Sequence, residues 1–352
     1  MKNSSTTSHD ESSIITARDV AEESGVSIST VGRALNNDAR ISARTKAHVS
    51  EVAERLGYVQ SMAARVMKGG SSKQIGLVLP NINNDFYSTI AQSISKCCER
   101  EGYSLVLSVT DDNRDSELQQ IRDLAGAKVS GIFIVPSIGT HAETINLLTR
   151  IPHVQLLRNN RKLGADWFGI DDKQCLRDAT SHLIQLGHRR IAYIGGLEKY
   201  STGSNRLSGF RSAFKDAGLT RRSVTEELGK PSMNFGREAA AGLVNSIRPP
   251  TAIVCAGAQI TSGVLDAVTS LNVKVPRDLS IVGFSDPFWC KFWGQGLTTI
   301  RLPIDELATT CAYWFLHSLS NEKSIYPSHN IATSSILVVR NSTARPKQKT
   351  TK

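Results

Sequence analysis

The sequence predicts a small all-α module followed by a large α/β domain made of two doubly wound parallel-sheet subdomains. Residues 14–60 contain three amphipathic segments bounded by helix-start and helix-stop residues. From residue 75 onward, short apolar runs alternate with segments long enough for crossover helices, which is typical of parallel sheets covered on both faces. Between them lies Gly69-Gly70-Ser71-Ser72, the composition of a flexible linker.

Bulk composition excludes several classes of protein. No apolar run approaches the ~18 residues that cross a bilayer, so we expect no membrane association. Residues 1–13 are polar and lack the apolar core of a signal peptide, which favours a disordered tail and a cytoplasmic protein. None of the six cysteines forms a C-x-x-C pair, so we predict reduced thiols, no metal and no cofactor.

The first two predicted helices are joined by a tight turn. Thr16 is followed three residues later by Asp19, a pattern that starts helices. Gly25 supplies the positive φ that ends this first helix, and Ser27 can cap the second, over residues 28–35. A small or branched apolar residue on each side of the turn lets the two helices cross tightly, as in a helix-turn-helix.

A third helix completes the module. It follows Ser42, carries apolar residues at helical spacing and stops at Gly57. Val31, Ala34 and Leu35 would form the inward face of the second helix. Three short helices bury a modest core, which suits a DNA-reading headpiece.

The outward face of the second helix is the candidate for reading DNA. A helix of this size fits the major groove, where arginine reaches guanine and serine or threonine reaches a base or a phosphate. The alternative is an ordinary solvated face, and charge does not decide, because the net charge is +10 for the chain but only +2 for residues 1–74. The outward residues are Ile28, Ser29, Thr30 and Arg33.

The segment before the linker is a candidate second DNA contact. Residues 61–74 carry Ala64 and Met67 at a spacing of three, which is too little to form a stable helix alone. Such a segment could fold when DNA supplies a partner surface, inserting an apolar wedge into a base step.

These residues closely resemble the headpiece of the lactose-repressor (LacI/GalR) family of transcriptional regulators. The matching residues are Asp19-Val20-Ala21, Gly25-Val26-Ser27, Ser29-Thr30-Val31, Arg33, Leu35-Asn36, Arg44-Thr45 and Leu56-Gly57-Tyr58. The resemblance implies that Ile28, Ser29 and Arg33 read bases and that Ala64 and Met67 belong to a minor-groove hinge helix. The candidate DNA-binding residues are Thr16, Ile28, Ser29, Thr30, Arg33, Asn36, Tyr58, Ala64, Arg65 and Met67.

The headpiece also departs from the family pattern. Gly32 replaces the usual serine before the recognition-helix arginine, which removes a phosphate contact and costs ~1 kcal/mol of helix propensity. Gln60-Ser61 replaces the usual Pro-Asn at the hinge start, and Met67 replaces the usual leucine. These departures affect operator sequence and affinity more than the mode of DNA binding.

The large domain, residues 75–343, resembles the family's effector domain. Residues 182–196, 206–210 and 275–284 are near the family consensus. The resemblance implies a type I periplasmic-binding-protein-like fold, with two subdomains joined by three chain crossings. We place these crossings near Asp171, Thr299 and Tyr326 and treat residues 344–352 as a basic tail.

Ligands of doubly wound sheets bind beyond the carboxyl ends of the strands, so residues at strand ends are the effector candidates. The family match supports Phe86 and Tyr87 as stacking groups and Arg206 as a hydrogen-bonding clamp. Three groups that typically bind sugar hydroxyls are replaced, while Arg158 and Arg206 remain, which favours an anionic sugar derivative. The candidates are Asp85, Phe86, Tyr87, Ser108, Ser137, Arg158, Asp171, Arg206, Ser285 and Asp286.

For two other local patterns, a structural role competes with a functional one. His182 and His188 are six residues apart, so capping and surface roles are favoured over a metal pair. The aromatic residues of segment 288–293 have the helical spacing of core positions, although they follow a strand end, where one of them could line the cleft.

Three function classes then compete. A regulator predicts a homodimer on a palindromic operator, with affinity changed by a metabolite, most often as a repressor. A solute-binding protein predicts an export signal and no headpiece. An enzyme predicts a nucleophile or metal constellation, and no such motif is present, so we expect a regulator and no enzyme.

Overall fold

The structure is a computed structural model that describes residues 15–59, 72–164, 166–220, 224–320 and 329–347. The chain divides into two compact units, residues 1–72 and 73–352, and each is considered by itself. Across the described ranges, no helix is long and apolar enough to cross a membrane.

The first unit contains three short helices, α1 (Ala17–Ser24), α2 (Ile28–Leu35) and α3 (Ala43–Leu56). Capping and stop residues in the sequence explain where these helices begin and end. Thr16 and Asp19 form a capping box at α1, and Gly25 ends this helix in the left-handed region at φ 67°. The hydroxyl of Ser27 accepts the Thr30 amide at 3.1 Å, which starts α2. Buried residues from all three helices form one small core: Val20, Ala21, Val31, Ala34, Val49, Val52 and Ala53.

The second unit contains two six-stranded sheets. The first has the order β11-β5-β4-β3-β1-β2, with parallel pairing throughout. Its strands are β1 (Gln74–Leu79), β2 (Ser104–Val109), β3 (Gly131–Ile134), β4 (His153–Leu156), β5 (Trp167–Ile170) and β11 (Asn330–Thr333). Its helices are α4 (Asp85–Arg100), α5 (Arg114–Gly126), α6 (Ala142–Leu148) and α11 (Ile304–Ser320).

The second sheet repeats this order as β12-β10-β9-β8-β6-β7, and only the β10–β12 pair is antiparallel. Its strands are β6 (Ile191–Gly196), β7 (Thr225–Gly229), β8 (Ala252–Ala256), β9 (Ser280–Phe284), β10 (Thr298–Arg301) and β12 (Ile336–Val338). Its helices are α7 (Asp172–Gln185), α8 (Ser201–Asp216), α9 (Met233–Val244) and α10 (Ala258–Ser270).

The chain passes three times between the subdomains built on these sheets. The first crossing joins β5 to α7 at Asp171. The second lies at residues 302–303, directly after β10, which contains Thr299. The third lies at residues 334–335, between β11 and β12. Tyr326, the expected position, is outside the described residues.

Residues 340–347 tie the late part of the chain back to the second sheet. The hydroxyl of Ser342 accepts the Thr298 amide at 2.7 Å and donates to the Ile281 carbonyl at 2.7 Å. His188 is buried and bonds the Ala344 carbonyl at 2.8 Å, so the surface role expected for this histidine is wrong. The described part of the chain has no cluster of residues arranged to hold a metal ion, and its six cysteines are buried free thiols.

Candidate functional site

The outward face of α2 is open to solvent. Ile28 is 47% exposed, and Ser29, Arg33 and Asn36 are exposed too. The Arg33 side chain makes no hydrogen bond or ion pair with any residue that the structure describes, so its guanidinium is available to a partner. The residues placed on this face from sequence therefore lie together on one helix side.

Several of the other headpiece candidates already serve the local fold. The Ser29 and Thr30 hydroxyls lie 2.8 and 2.9 Å from the Ser27 hydroxyl. The Thr16 hydroxyl donates to Asp19 at 2.8 Å. Tyr58 is half-buried against the three-helix core. Ala64, Arg65 and Met67 lie outside the described residues, so their assignment stays a prediction.

The large unit contains a cavity of about 400 Å³ between its two sheets. Strand register explains its position. In the first sheet, β1 and β2 run in parallel from Gln74 opposite Ser104 to Leu79 opposite Val109, so both end at one edge. In the second, β6 and β8 pair in the same sense and end at Gly195 opposite Ala256. Residues that follow these strand ends line the cavity from both subdomains.

Four of the predicted effector residues line this cavity, namely Phe86, Tyr87, Arg158 and Arg206. Asp85 and Ser285 line a smaller adjoining pocket of about 200 Å³. The remaining candidates, Ser108, Ser137, Asp171 and Asp286, line neither cavity. Asp171 caps α7 through the Gln174 amide, and Ser137 donates its amide to Glu117. Ser108 is buried in β2, and Asp286 accepts hydrogen bonds from Thr299, Arg301 and Arg340.

Arg206 is held from three sides. Its Nε donates to Asp172 at 2.6 Å, and its Nη1 donates to the Ala256 carbonyl at 3.0 Å. The guanidinium also stacks on Phe284, 4.0 Å from the ring centre. Burial acts to lower the pKa of Arg206, but Asp172 more than offsets this and the pKa is raised. Arg206 is therefore a charged group whose charge is already balanced within the protein.

Arg158 is balanced in the same way. It donates hydrogen bonds from both terminal nitrogens to the carboxylate of Asp112, and from Nη1 to the Pro136 carbonyl at 3.2 Å. Its guanidinium lies 4.2 Å from the ring centre of Tyr200. Burial acts to lower the pKa of Arg158, yet the nearby Tyr87 and Asp112 raise it. Neither arginine of the cavity is thus free to receive an anion.

The sequence interpretation missed Asp112, Tyr200 and Lys230, which also line the cavity. Asp112 lies three residues after the end of β2, and Tyr200 lies four residues after the end of β6. Both were missed because only the residues directly after each strand were considered. Asp111 and Asp112 both have positive φ, at 51° and 60°, a conformation that non-glycine residues seldom adopt. Such turned backbone at strand ends is common at ligand sites.

Two of the four aromatic residues after β9, Phe288 and Phe292, are not core, contrary to what their spacing predicted. Phe288 and Phe292 are 73% and 66% exposed, and their rings meet edge to face with centres 5.0 Å apart. Segment 288–291 is a short 3₁₀ turn, whose three-residue period does not keep these side chains on one inward stripe. Trp293 packs against the core, and Trp289 lines the adjoining pocket.

Comparison with known proteins decides the family. Residues 16–61 match the model of bacterial regulatory proteins of the lacI family, and residues 180–343 match a periplasmic binding protein-like domain. The HTH-type transcriptional regulator DegA of Bacillus subtilis is 32% identical over 297 residues, which cover 83% of this chain and 88% of that protein. The chain belongs to the lacI family. The ribose operon repressor of Escherichia coli is 30% identical over 314 residues, covering 87% and 93% of the two chains.

Solved structures support the same assignment. The lac repressor dimer bound to operator and the anti-inducer ONPF is 25% identical and superposes with a TM-score of 0.81, covering 94% of this chain and all of that one. The predicted fold class is confirmed, and so is the predicted function class. This lacI-family protein is a DNA-binding transcriptional regulator with an effector-binding domain.

Proposed function

We propose that this regulator represses transcription as a homodimer on a palindromic operator, and that a small, uncharged, hydroxyl-rich metabolite in the cavity controls its affinity for that operator. The observation that carries this proposal is the cavity between the two sheets, because both subdomains line it and a ligand there contacts both. A ligand with different contacts in two arrangements of the subdomains shifts the balance between them, and linkage makes the effect on DNA binding reciprocal.

The α2 face supplies the DNA-reading groups in this proposal. Arg33, without an internal partner in the described headpiece, is placed to form a bidentate contact with guanine, and Ser29 and Ile28 flank it on the same exposed side. Thr16, Asn36 and Tyr58 are assigned contacts with the DNA backbone, which position the helix. One helix reads too few bases for specificity, which is why a dimer and two half-sites are required.

Charge balance in the cavity supports an uncharged ligand. The expectation of an anion rested on Arg158 and Arg206, and both are paired with carboxylates. An anion at either arginine would displace Asp112 or Asp172 and leave a buried charge unpaired. The ring of Phe86, which lines the cavity, suits the apolar side of a sugar ring. The named relatives include a ribose operon repressor.

The exposed aromatic patch of Phe288, Trp289 and Phe292 supports the dimer. Exposed rings that cluster in this way mark interaction surfaces. We assign a second copy of this chain as the partner, since the similar lac repressor structure is that of a dimer. Sedimentation should show a dimer at micromolar concentration, and Phe288→Ser with Phe292→Ser should shift it toward monomer. If the double variant remained dimeric to the same extent, the patch would be excluded as the dimer interface.

A thermal-shift panel tests the ligand assignment. The full chain is heated with neutral sugars, sugar acids and sugar phosphates, since a ligand of the folded state raises the melting temperature. We expect stabilisation by a neutral sugar, and the same sugar should alter binding to an operator selected from random DNA. Stabilisation by acids or phosphates alone would overturn the uncharged-ligand assignment, and failure to select any DNA site would overturn operator binding.

A further inference from the structure

Among the described residues, three direct hydrogen bonds join the two subdomains across the cleft. The Tyr200 hydroxyl donates to Oδ2 of Asp112 at 2.9 Å. The amide of Asn159 donates to the Ser201 hydroxyl at 2.9 Å, and Nζ of Lys230 donates to the Asp111 carbonyl at 3.3 Å. All the first-subdomain partners lie in the loops that follow β2 and β4, and Tyr200 and Ser201 begin α8. These three hydrogen bonds therefore lie along one line of contact between the subdomains, which we call the seam.

The acceptor in this seam is fixed by its own subdomain. Arg158 binds both oxygens of Asp112, and the two side chains are 11% and 10% exposed. A bidentate guanidinium–carboxylate pair fixes orientation as well as charge. Asp112 is consequently held in place whether or not Tyr200 is present. Of the residues that the structure describes in the other subdomain, the Tyr200 hydroxyl is the one that hydrogen-bonds to this carboxylate.

The donor is equally well suited to the role. Burial and the adjacent Asp112 raise the pKa of Tyr200 to about 12, so its hydroxyl keeps the proton that it donates. The Tyr200 ring covers the Arg158 guanidinium at 4.2 Å, which adds a second attraction between the subdomains. The hydrogen bond and the ring contact both involve a charged group. Hydrogen bonds to charged groups are stronger than those between neutral groups.

We propose that Tyr200 and Asp112 form a latch that holds the cleft closed and thereby controls ligand entry and the arrangement of the two subdomains. The assigned role makes Arg158 a positioning residue for Asp112 instead of an anion receptor. This inference rests on the proposed function only for its biological consequence, because the latch itself is a property of the large unit.

The consequence concerns how a ligand acts. A ligand that leaves the latch intact stabilises the closed arrangement, whereas one that displaces Tyr200 favours the open arrangement. Protein groups alone already link the subdomains across the cleft, so the ligand adds to or competes with an existing interaction. The latch thus sets the ratio of closed to open arrangements before any effector binds, and an effector shifts that ratio.

Distance measurement in the full chain tests the latch without DNA or sugar. Cysteines are introduced at exposed positions in each subdomain, Asn146→Cys and Glu238→Cys, and spin-labelled, while the six native thiols are buried. In this background we compare the parent, Tyr200→Phe and Tyr193→Phe. Phenylalanine at 200 keeps the ring over Arg158 and removes only the hydroxyl that reaches Asp112.

Tyr193→Phe is the matched control. The Tyr193 hydroxyl is buried in β6 of the same subdomain and has no hydrogen-bond partner among the described residues, so its removal deletes the same atom without touching the cleft. We expect Tyr200→Phe to raise the population of a longer inter-label distance about tenfold, as loss of a hydrogen bond to a charged group implies. Tyr193→Phe should match the parent.

Hydrogen exchange supplies a second measurement on the same proteins. Amides of residues 110–113 and 198–203 should exchange about tenfold faster in Tyr200→Phe and at parental rates in Tyr193→Phe. Identical distance distributions and identical exchange in all three proteins would overturn the latch. Because neither operator nor sugar is present, that result would leave the proposed function standing, and failure of the proposed function would leave the latch standing.

Discussion

The exposed face of α2 and the cavity between the two sheets use arginine in opposite ways. Arg33 on α2 is exposed and unpaired within the described residues, and only an external partner gives it a role. The Arg158 and Arg206 side chains are only 11% and 15% exposed, and each is bound to a carboxylate and stacked on an aromatic ring. An exposed charge is therefore available for recognition at little cost to stability, whereas a buried and balanced charge defines the shape of a site. Substitutions at Arg206, Arg122 and Arg33 test this contrast, and a substitution at Glu117 tests a buried carboxyl.

The largest effect should come from Arg206→Met, which leaves Asp172 buried without its cation. Burial raises the pKa of Asp172 and Arg206 opposes that rise, so removing Arg206 exposes the full penalty. We expect the free energy of unfolding to fall by about 3–5 kcal/mol. Urea denaturation followed by tryptophan fluorescence reports on this unit, because all four tryptophans lie within residues 73–352.

Two comparisons sharpen this result. Adding Asp172→Asn should recover much of the lost stability, since no uncompensated charge then remains. Arg122→Ala removes an ion pair with Glu143 whose side chains are about half exposed, and should cost less than ~1 kcal/mol. Equal losses in Arg206→Met and Arg122→Ala would show that burial does not separate the two classes of arginine.

Arg33 should show the reverse behaviour. Arg33→Ala should weaken binding to the selected operator by about 1–3 kcal/mol, as loss of a bidentate base contact does, and should change stability by less than ~0.5 kcal/mol. Fluorescence anisotropy with labelled operator measures the affinity. Arg33→Lys keeps the positive charge but loses the planar guanidinium that can donate two parallel hydrogen bonds. Parental affinity in the lysine variant would mean that Arg33 contacts a phosphate and reads no base.

The smallest effect concerns Glu117, a fully buried carboxyl without a paired cation in the described chain. Its Oε2 accepts the Ser137 amide at 2.6 Å, and burial raises its pKa. Glu117→Gln should increase the free energy of unfolding at pH 7 by on the order of 1 kcal/mol, because an amide keeps the acceptor and carries no charge.

The pH dependence of Glu117 has a definite sign. A raised folded-state pKa means that the favourable contribution of Glu117 is present below the pKa of the unfolded chain and is lost as pH rises through the folded value. The stability gap between Glu117→Gln and the parent should thus shrink as the pH falls from 7. Urea titrations across this range measure it, and a gap that widens on acidification would contradict the assignment.

Local patterns allowed the helices and most strands to be predicted. The Thr16–Asp19 capping box, Gly25 and Ser27 act within a few residues of each other, so the sequence contains all that they need. The apolar run of residues 75–79 likewise predicted β1, since a strand covered on both faces must be apolar throughout. The same rule placed Phe86 and Arg158 near strand ends, where the cavity forms.

Pairing between distant residues could not be predicted. Arg158 meets Asp112 46 positions away, Arg206 meets Asp172 34 away, and Arg340 meets Asp286 54 away. Each arginine looked free in sequence, which is why an anionic ligand was expected and why Asp286 was assigned to the cleft. Phe288 and Phe292 show the converse, since the spacing of a core stripe does not reveal whether anything covers it.

The three crossings also determine when the large unit can be completed during synthesis. Each sheet receives a strand from the late segment, β11 for the first sheet and β12 for the second, so neither subdomain is a continuous stretch of chain. A nascent chain folds from its N-terminal end as it emerges. The headpiece helices are made before residue 60, but both sheets stay incomplete until residues 330–344 have left the ribosome. A stalled or truncated chain would therefore contain the DNA-reading helices without a finished sensor, and its repression would not respond to the metabolite.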